Sequence, residues 1–238
     1  MAILHKRHNA NAGRRAGLLA GQALCVLAPT ALAVWYAAGL VQKKPLQPVL
    51  WAALACAAAG AALFRVLHNR SEILKSGIEG EKQAVDALKV LPYSYHVVSN
   101  PVYYVDGRRA ELDAVVIGKN GVCIVETKNH TGVITGRPGD EWWSQTKRRG
   151  TKHMKNPLLQ VERQAAILEQ VLREAGCKCP VRPMVYFASK NARVSVRDSR
   201  IFVGEDALRK AIRAGRDTLS PGEVSAIVDA LTWQKEKI

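Results

Sequence analysis

Acidic residues are nearly absent from the first third of this 238-residue chain. Residues 1–76 contain one, Glu72, beside nine lysines and arginines, and no charged residue lies between Gly17 and Val41. A helix on the surface of a soluble domain needs a polar face, so this composition argues against one. The net charge of +15 divides into +8 over residues 1–76 and +7 over residues 77–238. About half of the net positive charge therefore lies in residues 1–76, where the charges flanking membrane spans would account for it and no nucleic-acid partner is needed.

Cysteine motifs are also missing. Cys25 and Cys56 lie in apolar runs and Cys123 lies in a predicted strand, while Cys177 and Cys179 are one residue apart and have no second pair. This spacing excludes a zinc ribbon and the framework of a disulfide-rich secreted domain. The odd number of cysteines is typical of a protein in a reducing compartment.

Two apolar runs, 17–41 and 48–67, reach the length of about 20 residues that a membrane-spanning helix needs. The second is uninterrupted only to residue 64, and it extends to 67 if the Arg65 side chain reaches the interface. The segment 42–47 between them leaves room only for a turn. We therefore predict a transmembrane helical hairpin. A cleaved signal peptide is the alternative for the first run, but that run is long for one and a second follows it.

The basic flanks of these runs predict their orientation. Seven lysines and arginines lie outside the two spans and two lie in the loop between them, so both chain ends are expected in the cytoplasm. The predicted organisation is a basic cytoplasmic N-terminus (1–16), the hairpin (17–67), a linker (68–76) and a soluble domain (77–238). Membrane lipid is thus an expected partner, and the soluble domain is expected on the cytoplasmic side.

From residue 77 onwards the composition is that of a globular domain. Helical spacing of apolar residues predicts a helix over 78–91, and Pro92 ends it. Strands are predicted over 95–99, 102–105, 110–117, 122–127, 132–135, 181–188 and 200–203, and further helices over 157–175, 205–214 and 221–233. The basic stretch 142–155 is predicted to be irregular. This order of elements predicts an α/β fold in which helices flank a mixed central sheet.

Charged residues interrupt the two most apolar of these strands. Side chains alternate between the faces of a strand, so Glu126 and Lys128 share a face. A turn at Lys119-Asn120 places Asp113 opposite Glu126, whereas a turn at Asn120-Gly121, which Asn-Gly favours, places Asp113 opposite Lys128. Both registers put the three charged side chains on one face of the sheet.

Two carboxylates on neighbouring strands repel each other unless a cation lies between them. Mg²⁺ accepts one or two carboxylates together with waters and a substrate phosphate, and Mn²⁺ is the alternative ion. Lys128 beside Asp113 and Glu126 could orient a water or stabilise charge that develops on phosphorus. An ordinary structural ion pair would explain the same spacing.

A larger pattern points beyond an ion pair. It comprises Gly77-Ile-Glu-Gly-Glu81, Glu111-Leu-Asp113, Gly121-Val-Cys-Ile-Val-Glu-Thr-Lys-Asn129 with the following Gly132, and Asn156-Pro-Leu-Leu-Gln160. In this order, over residues 77–175, the pattern resembles the nuclease-related domain (NERD) family of the restriction-endonuclease-like PD-(D/E)XK superfamily. The resemblance implies a restriction-endonuclease-like fold and a metal-dependent nuclease.

The resemblance also implies roles for individual residues. Asp113 and Glu126 would be metal ligands, with the Thr127 carbonyl as a further one. Lys128 would assist the attacking water. Glu81 would add an acidic group from the first helix, and Gln160 would reach the site from a later helix. In the family a glutamine usually stands where this chain has Glu111, and the effect of this departure on the site is open.

A separate basic and aromatic stretch is a candidate for binding nucleic acid. The candidate residues are Trp142, Trp143, Lys147, Arg148, Arg149 and Lys152. Tryptophans can stack on bases while lysines and arginines contact phosphates. The alternative is that one tryptophan packs on the sheet and the basic residues form a solvated loop.

Taken together, the sequence predicts a membrane-anchored nuclease that hydrolyses phosphodiester bonds in DNA or RNA with Mg²⁺ or Mn²⁺. One alternative is an inactive nuclease-fold module that binds nucleic acid or a protein partner at the membrane. Another is a structural protein that assembles through its hairpin. A homodimer is expected if both strands of a duplex are cut.

Overall fold

The computed structural model describes residues 1–7, 9–42 and 47–233. The chain divides into two compact units, Asn9–Ile78 and a second that combines Met1–His8 with Glu79–Ile238. The helices are α1 (Ala10–Val41), α2 (Gln47–Lys89), α3 (Pro157–Glu174), α4 (Glu205–Arg213) and α5 (Pro221–Trp233). The strands are β1 (Ile3–Lys6), β2 (His96–Ser99), β3 (Val102–Val105), β4 (Arg108–Glu111), β5 (Ala114–Gly118), β6 (Gly121–Lys128), β7 (Gly132–Thr135), β8 (Trp142–Lys147), β9 (Gly150–Lys155), β10 (Val181–Phe187), β11 (Ala192–Val194) and β12 (Ile201–Val203).

Helix α1 and most of α2 form the unit Asn9–Ile78, and both are long and apolar enough to cross a membrane. Pro29 lacks the N–H that would bond the Cys25 carbonyl within α1. Gly60 of α2 lies against that carbonyl, since a Cβ at Gly60 would be 2.8 Å from it. Close approach through small residues is typical of paired membrane helices. Residues 43–46 of the turn predicted at 42–47 lie outside the described residues.

Helix α2 runs without a break through the segment predicted to be a linker. Residues 68–76 are helical, and the helix predicted over 78–91 is the end of this longer one. The predicted linker is therefore part of a continuous helix, because no proline interrupts the chain between Pro48 and Pro92. A residue larger than glycine would not fit at position 80 of this helix, because a Cβ there would lie 2.6 Å from the side chain of Asn129.

The central sheet of the second unit has six strands in the order β1-β2-β5-β6-β10-β12. Strands β2, β5 and β6 pair antiparallel, while β6, β10 and β12 pair parallel, so the sheet is mixed as predicted. Strand β1 was not predicted. It pairs parallel with β2, so part of the N-terminal segment 1–16 belongs to the sheet.

Helices cover both faces of this sheet. On one face Val122 and Ile124 pack in a core with residues of α3 and α5. On the other face Cys123 and Val125 pack with residues of α4 and of the end of α2. A strand that is buried on both faces reads as a continuous apolar run, which explains the composition of β6. The predicted α/β fold with a mixed central sheet is confirmed.

A second sheet has the order β11-β7-β8-β9. Its strands β8 and β9 form an antiparallel hairpin in which Lys147 pairs with Gly150 across a turn at Arg148 and Arg149. The prediction that 142–155 is irregular is therefore wrong. Its many basic residues concealed a strand pattern, because one face of the hairpin is solvated and only Trp143 and its neighbours pack inwards. Strands β3 and β4 form a separate two-stranded ribbon.

Candidate active site

The β5–β6 hairpin determines the position of Asp113. Gly118 pairs with Gly121, so Lys119 and Asn120 form the turn, and Ala114 pairs with Val125. The first of the two predicted registers is confirmed, and Asp113 follows in line opposite Glu126.

Tertiary contacts hold this turn. The Lys119 carbonyl accepts hydrogen bonds from the N–H groups of Thr218 and Leu219, at 2.8 and 2.9 Å. The Asn120 side chain donates to the Ile212 carbonyl at 2.6 Å. These contacts explain why the turn forms one residue earlier than the local Asn-Gly preference favours.

The Asp113 carboxylate is half-buried and lies directly before β5. Its Oδ2 accepts a hydrogen bond of 2.7 Å from the backbone N–H of Thr127. Burial raises the pKa of Asp113 well above its usual value, and the negative charge of Glu126 raises it further. The charge of Glu81 acts in the same direction, while the Thr127 N–H and Lys128 oppose it. Glu81, on α2, therefore lies within electrostatic reach of Asp113.

Glu126 is 3% exposed and accepts three hydrogen bonds from side chains. Its Oε1 accepts from Lys128 Nζ at 2.6 Å and from Gln160 Nε2 at 2.7 Å. Its Oε2 accepts from Gln164 Nε2 at 3.1 Å. Lys128 also donates to Gln160 Oε1 at 3.1 Å, so Lys128 and Gln160 hold each other as well as the carboxylate. In this arrangement Lys128 neutralises Glu126.

Helix α3 presents both glutamines to the site. Asn156 caps the helix by accepting a 2.9 Å hydrogen bond from the Leu158 N–H, and Pro157 occupies the first helical turn. Gln160 and Gln164 are four residues apart and so share a face. Gln164 also donates to the Glu111 carbonyl at 3.0 Å, and its buried Oε1 has no hydrogen-bond partner in the part of the chain that the structure describes. Gln164 was not predicted, although its spacing from Gln160 was a usable signal.

The donors around Asp113 suit only some metals. Nowhere in residues 1–7, 9–42 and 47–233 do three histidine, cysteine, aspartate or glutamate side chains form a cluster that could hold an ion. Zinc is normally held by three or four such protein ligands. A hard ion that keeps most of its waters needs fewer, and Asp113 and Glu126 are the side chains that could hold it. The hydroxyl of Thr127, which directly follows Glu126, is buried and has no hydrogen-bond partner among the described residues.

Residues 76–188 match the family model of the nuclease-related domain. An uncharacterized protein from Bacillus anthracis is 30% identical over 158 residues, which cover 63% of this chain and 73% of the relative. The chain belongs to the nuclease-related domain family. The matched segment contains Glu81, Asp113, Glu126, Lys128 and Gln160. No solved structure matches the chain significantly.

In this nuclease-related domain the two neighbouring tryptophans differ in exposure. Trp143 is fully buried, and its Nε1 donates to the Arg137 carbonyl at 2.8 Å. A buried ring cannot stack on a base, so the prediction that Trp143 binds nucleic acid is wrong. Trp142 is 50% exposed, and Lys155 Nζ lies 5.9 Å from the centre of its ring.

The remaining candidates of the nuclease-related domain lie at the tip of the β8–β9 hairpin. Lys147, Arg148, Arg149 and Lys152 are all exposed. Burial lowers the pKa of His130, and the charges of Lys128 and Lys147 lower it further. Lys147 lies beside Gly132, since a Cβ at Gly132 would be 3.2 Å from Lys147 Cγ. Gly132 is four residues after Lys128, so this part of the hairpin lies near the end of β6.

Proposed function

We propose that the chain is a metal-dependent nuclease that hydrolyses phosphodiester bonds in DNA or RNA. The observation that carries the proposal is the pair of neighbouring carboxylates, half-buried Asp113 and buried Glu126. Burial raises the pKa of Asp113, and repulsion from Glu126 raises it further. A divalent cation would relieve this repulsion. Mg²⁺, or Mn²⁺ in its place, is the ion that accepts one or two carboxylates together with waters and a substrate phosphate.

Each residue of the cluster has a role in this proposal. Asp113, Glu126 and the Thr127 carbonyl would hold the ion, which when bound would lower the pKa of a water and polarise the phosphate. Lys128 would then be released from Glu126 and would hold the attacking water or stabilise charge on phosphorus. Gln160 bonds both Glu126 and Lys128, so it would keep their spacing. Glu81 would add negative charge beside Asp113.

Cleavage assays test the proposal on the full chain, purified in mild detergent. Plasmid and single-stranded DNA and RNA are incubated with Mg²⁺, with Mn²⁺ or with a chelator. We expect metal-dependent cleavage that Glu126→Gln and Lys128→Met each reduce by at least about a hundred-fold. The control is Glu174→Gln, an exposed glutamate of α3 that contacts Gln170.

If the unaltered chain and both variants are equally inactive with every metal and substrate, the proposal that the chain is an enzyme is refuted. If the inert chain still bound nucleic acid in a salt-sensitive way, the binding module would be the correct reading. In the proposed enzyme the nucleic acid would contact Trp142, Lys147, Arg148, Arg149 and Lys152, which are exposed on one hairpin.

We further propose that α1 and α2 anchor the enzyme as two membrane spans with the nuclease-related domain in the cytoplasm. Strand β1 precedes α1 and the rest of the domain follows α2, yet both belong to one sheet. A chain that leaves this sheet and returns to it must cross a membrane an even number of times. Cleavage of a signal peptide would also remove β1, so this pairing favours an uncleaved hairpin.

Cysteine labelling tests the orientation. In a variant without native cysteines, Lys44→Cys would lie in the loop and Ala2→Cys beside β1. An impermeant maleimide applied to intact cells should label position 44 alone, and position 2 only after permeabilisation. Labelling of position 2 in intact cells would reverse the orientation.

A further inference from the structure

The unit Asn9–Ile78 contains a groove of about 500 Å³ between its two helices. Helix α1 contributes Arg14, Gly17 and Leu18, and helix α2 contributes Arg70, Ile73 and Leu74. On each helix the three positions follow the spacing i, i+3, i+4, so each set forms one face. The groove therefore combines an aliphatic floor with one arginine from each helix.

The groove exists because the helices separate at this end. Towards the middle of the pair they are close, since a Cβ at Gly21 would lie 3.1 Å from Leu67 Cδ1. At Gly17, one turn closer to the start of α1, the position of a Cβ lies more than 4 Å from every described atom of α2. The space that Gly17 leaves is part of the groove and not part of the helix contact.

The two arginines carry unneutralised charge. In the described part of the chain, Arg14 and Arg70 form no ion pair and no hydrogen bond. Residues 1–76 hold a single acidic residue, Glu72, which does not line the groove. Each arginine lies three residues outside a predicted span, or about 4.5 Å along a helix. In a membrane this depth corresponds to the headgroups.

We propose that this groove binds an anionic glycerophospholipid, whose phosphate would lie between Arg14 and Arg70 and whose acyl chain would lie on Leu18, Ile73 and Leu74. Basic pockets between membrane helices on the cytoplasmic side recognise such headgroups. The proposal rests on the membrane anchoring proposed above, and it adds a specific lipid site to a general affinity for the bilayer.

Lipid retention tests the site. The full chain is reconstituted into nanodiscs that contain equal amounts of phosphatidylglycerol and phosphatidylcholine, and it is then extracted in mild detergent. Bound lipid is measured by native mass spectrometry. The unaltered chain should retain phosphatidylglycerol in preference to phosphatidylcholine. Arg14→Gln and Arg70→Gln should each reduce this retention about five-fold, since each removes one cation from the headgroup.

Matched variants separate the groove from general charge and helix packing. Gly17→Leu should fill the groove and abolish retention, whereas Gly13→Leu, which also meets no atom within 4 Å, should not. Arg65→Gln, on α2 outside the groove, should retain phosphatidylglycerol. Equal retention in all variants would overturn the site. So would equal retention of the two lipids, or release of the lipid by excess inorganic phosphate.

Vesicle flotation distinguishes failure of this site from failure of the anchor. If the unaltered chain does not float with phosphatidylcholine vesicles, the anchoring itself is wrong and the lipid site is refuted with it. If the chain floats but shows no preference for phosphatidylglycerol, only the lipid site is refuted.

Discussion

At the scale of single side chains, Glu126 depends on its neighbours for charge and orientation. Its carboxylate is buried, and Lys128, Gln160 and Gln164 supply its hydrogen bonds. Removing one partner of a buried ion pair leaves an uncompensated charge, which costs more than the pair itself contributes. The same burial would strengthen the hold of Asp113 and Glu126 on a cation, because charges interact more strongly where water is excluded.

The ion pair of Lys128 and Glu126 gives a prediction for stability. Lys128→Met should destabilise the metal-free chain by about 3 kcal/mol, because it leaves Glu126 buried without a cation. The double variant Glu126→Gln with Lys128→Met should recover much of that loss. Urea unfolding followed by tryptophan fluorescence measures both. Additive losses in the double variant would contradict a coupled pair.

At the scale of elements, two adjacent tryptophans of the β8–β9 hairpin lie in different environments. Trp143 packs in the core with Ile134 and Leu158, while Trp142 faces the solvent beside Lys155. Alternation along β8 produces this difference, since neighbouring residues on a strand point to opposite faces. The hairpin can thus expose its lysines, its arginines and the Trp142 ring to solvent while Trp143 keeps it packed against the core.

The two tryptophans should therefore respond differently to substitution. Trp143→Ala should destabilise the domain by about 3–5 kcal/mol because it empties a core position. Trp142→Ala should change stability by less than about 0.5 kcal/mol, and it should weaken the binding of single-stranded nucleic acid if the proposed contact exists. Thermal unfolding and fluorescence anisotropy measure the two effects. A stable Trp143→Ala variant would contradict the packing described above.

Strand β1 introduces a dependence on pH. His5 Nε2 lies 3.2 Å from His96 Nδ1, and their rings stack. Burial lowers the pKa of His96, and the charge of His5 lowers it further. At a pH just below the usual histidine pKa of about 6.5, His96 is therefore protonated to a greater extent in the unfolded chain than in the folded chain. Stability should be complete above that pH and should fall as the pH decreases through it.

His96→Gln tests this dependence. The variant should lose less stability than the unaltered chain between pH 7.5 and pH 5.5, in urea unfolding at a series of pH values. His130, whose pKa is also lowered, is common to both proteins, so its contribution cancels in the comparison. Identical slopes would show that His96 does not contribute.

At the scale of the whole molecule, the segment after the first strand contacts the last described helix within one unit. Arg7, just after β1, donates to the carbonyls of Leu231 and Thr232 at the end of α5, each at 3.0 Å. Its guanidinium also lies 5.9 Å from the centre of the Tyr103 ring. A cation at the C-terminus of a helix stabilises the helix dipole. The apolar helices are thus an insertion between two parts of one sheet.

Arg7→Ala should therefore lower the unfolding temperature of the domain by several degrees, because it removes one hydrogen bond from each of two helix carbonyls. The Leu231 carbonyl would keep the hydroxyl of Tyr103 as a donor, at 3.1 Å. Lys6→Ala is the control, since Lys6 is exposed on the same segment. Differential scanning fluorimetry of the full chain in detergent measures both. Equal unfolding temperatures for the two variants would show that this contact contributes nothing to stability.

Much of the candidate site could be predicted because it depends on local periodicity. Side chains alternate along β6, so Glu126 and Lys128 lie on the same face of the sheet in any register. Both possible turns place Asp113 on that face as well. The choice between those turns was not predictable. It depends on contacts of Lys119 and Asn120 with residues some 90 positions later in the chain, which outweigh the local preference for Asn-Gly.

The sequence by itself determined the family, the shared face of Asp113, Glu126 and Lys128, and the two apolar helices, because motifs, strand period and composition are local properties. Only the tertiary structure decided that β1 joins the sheet, that Gln164 completes the hydrogen bonds of Glu126, and that Trp143 is buried while Trp142 is not. These outcomes depend on pairing and packing between segments far apart in the chain. A short strand leaves no periodic signal, and the helical spacing of Gln160 and Gln164 does not show which carboxylate they reach.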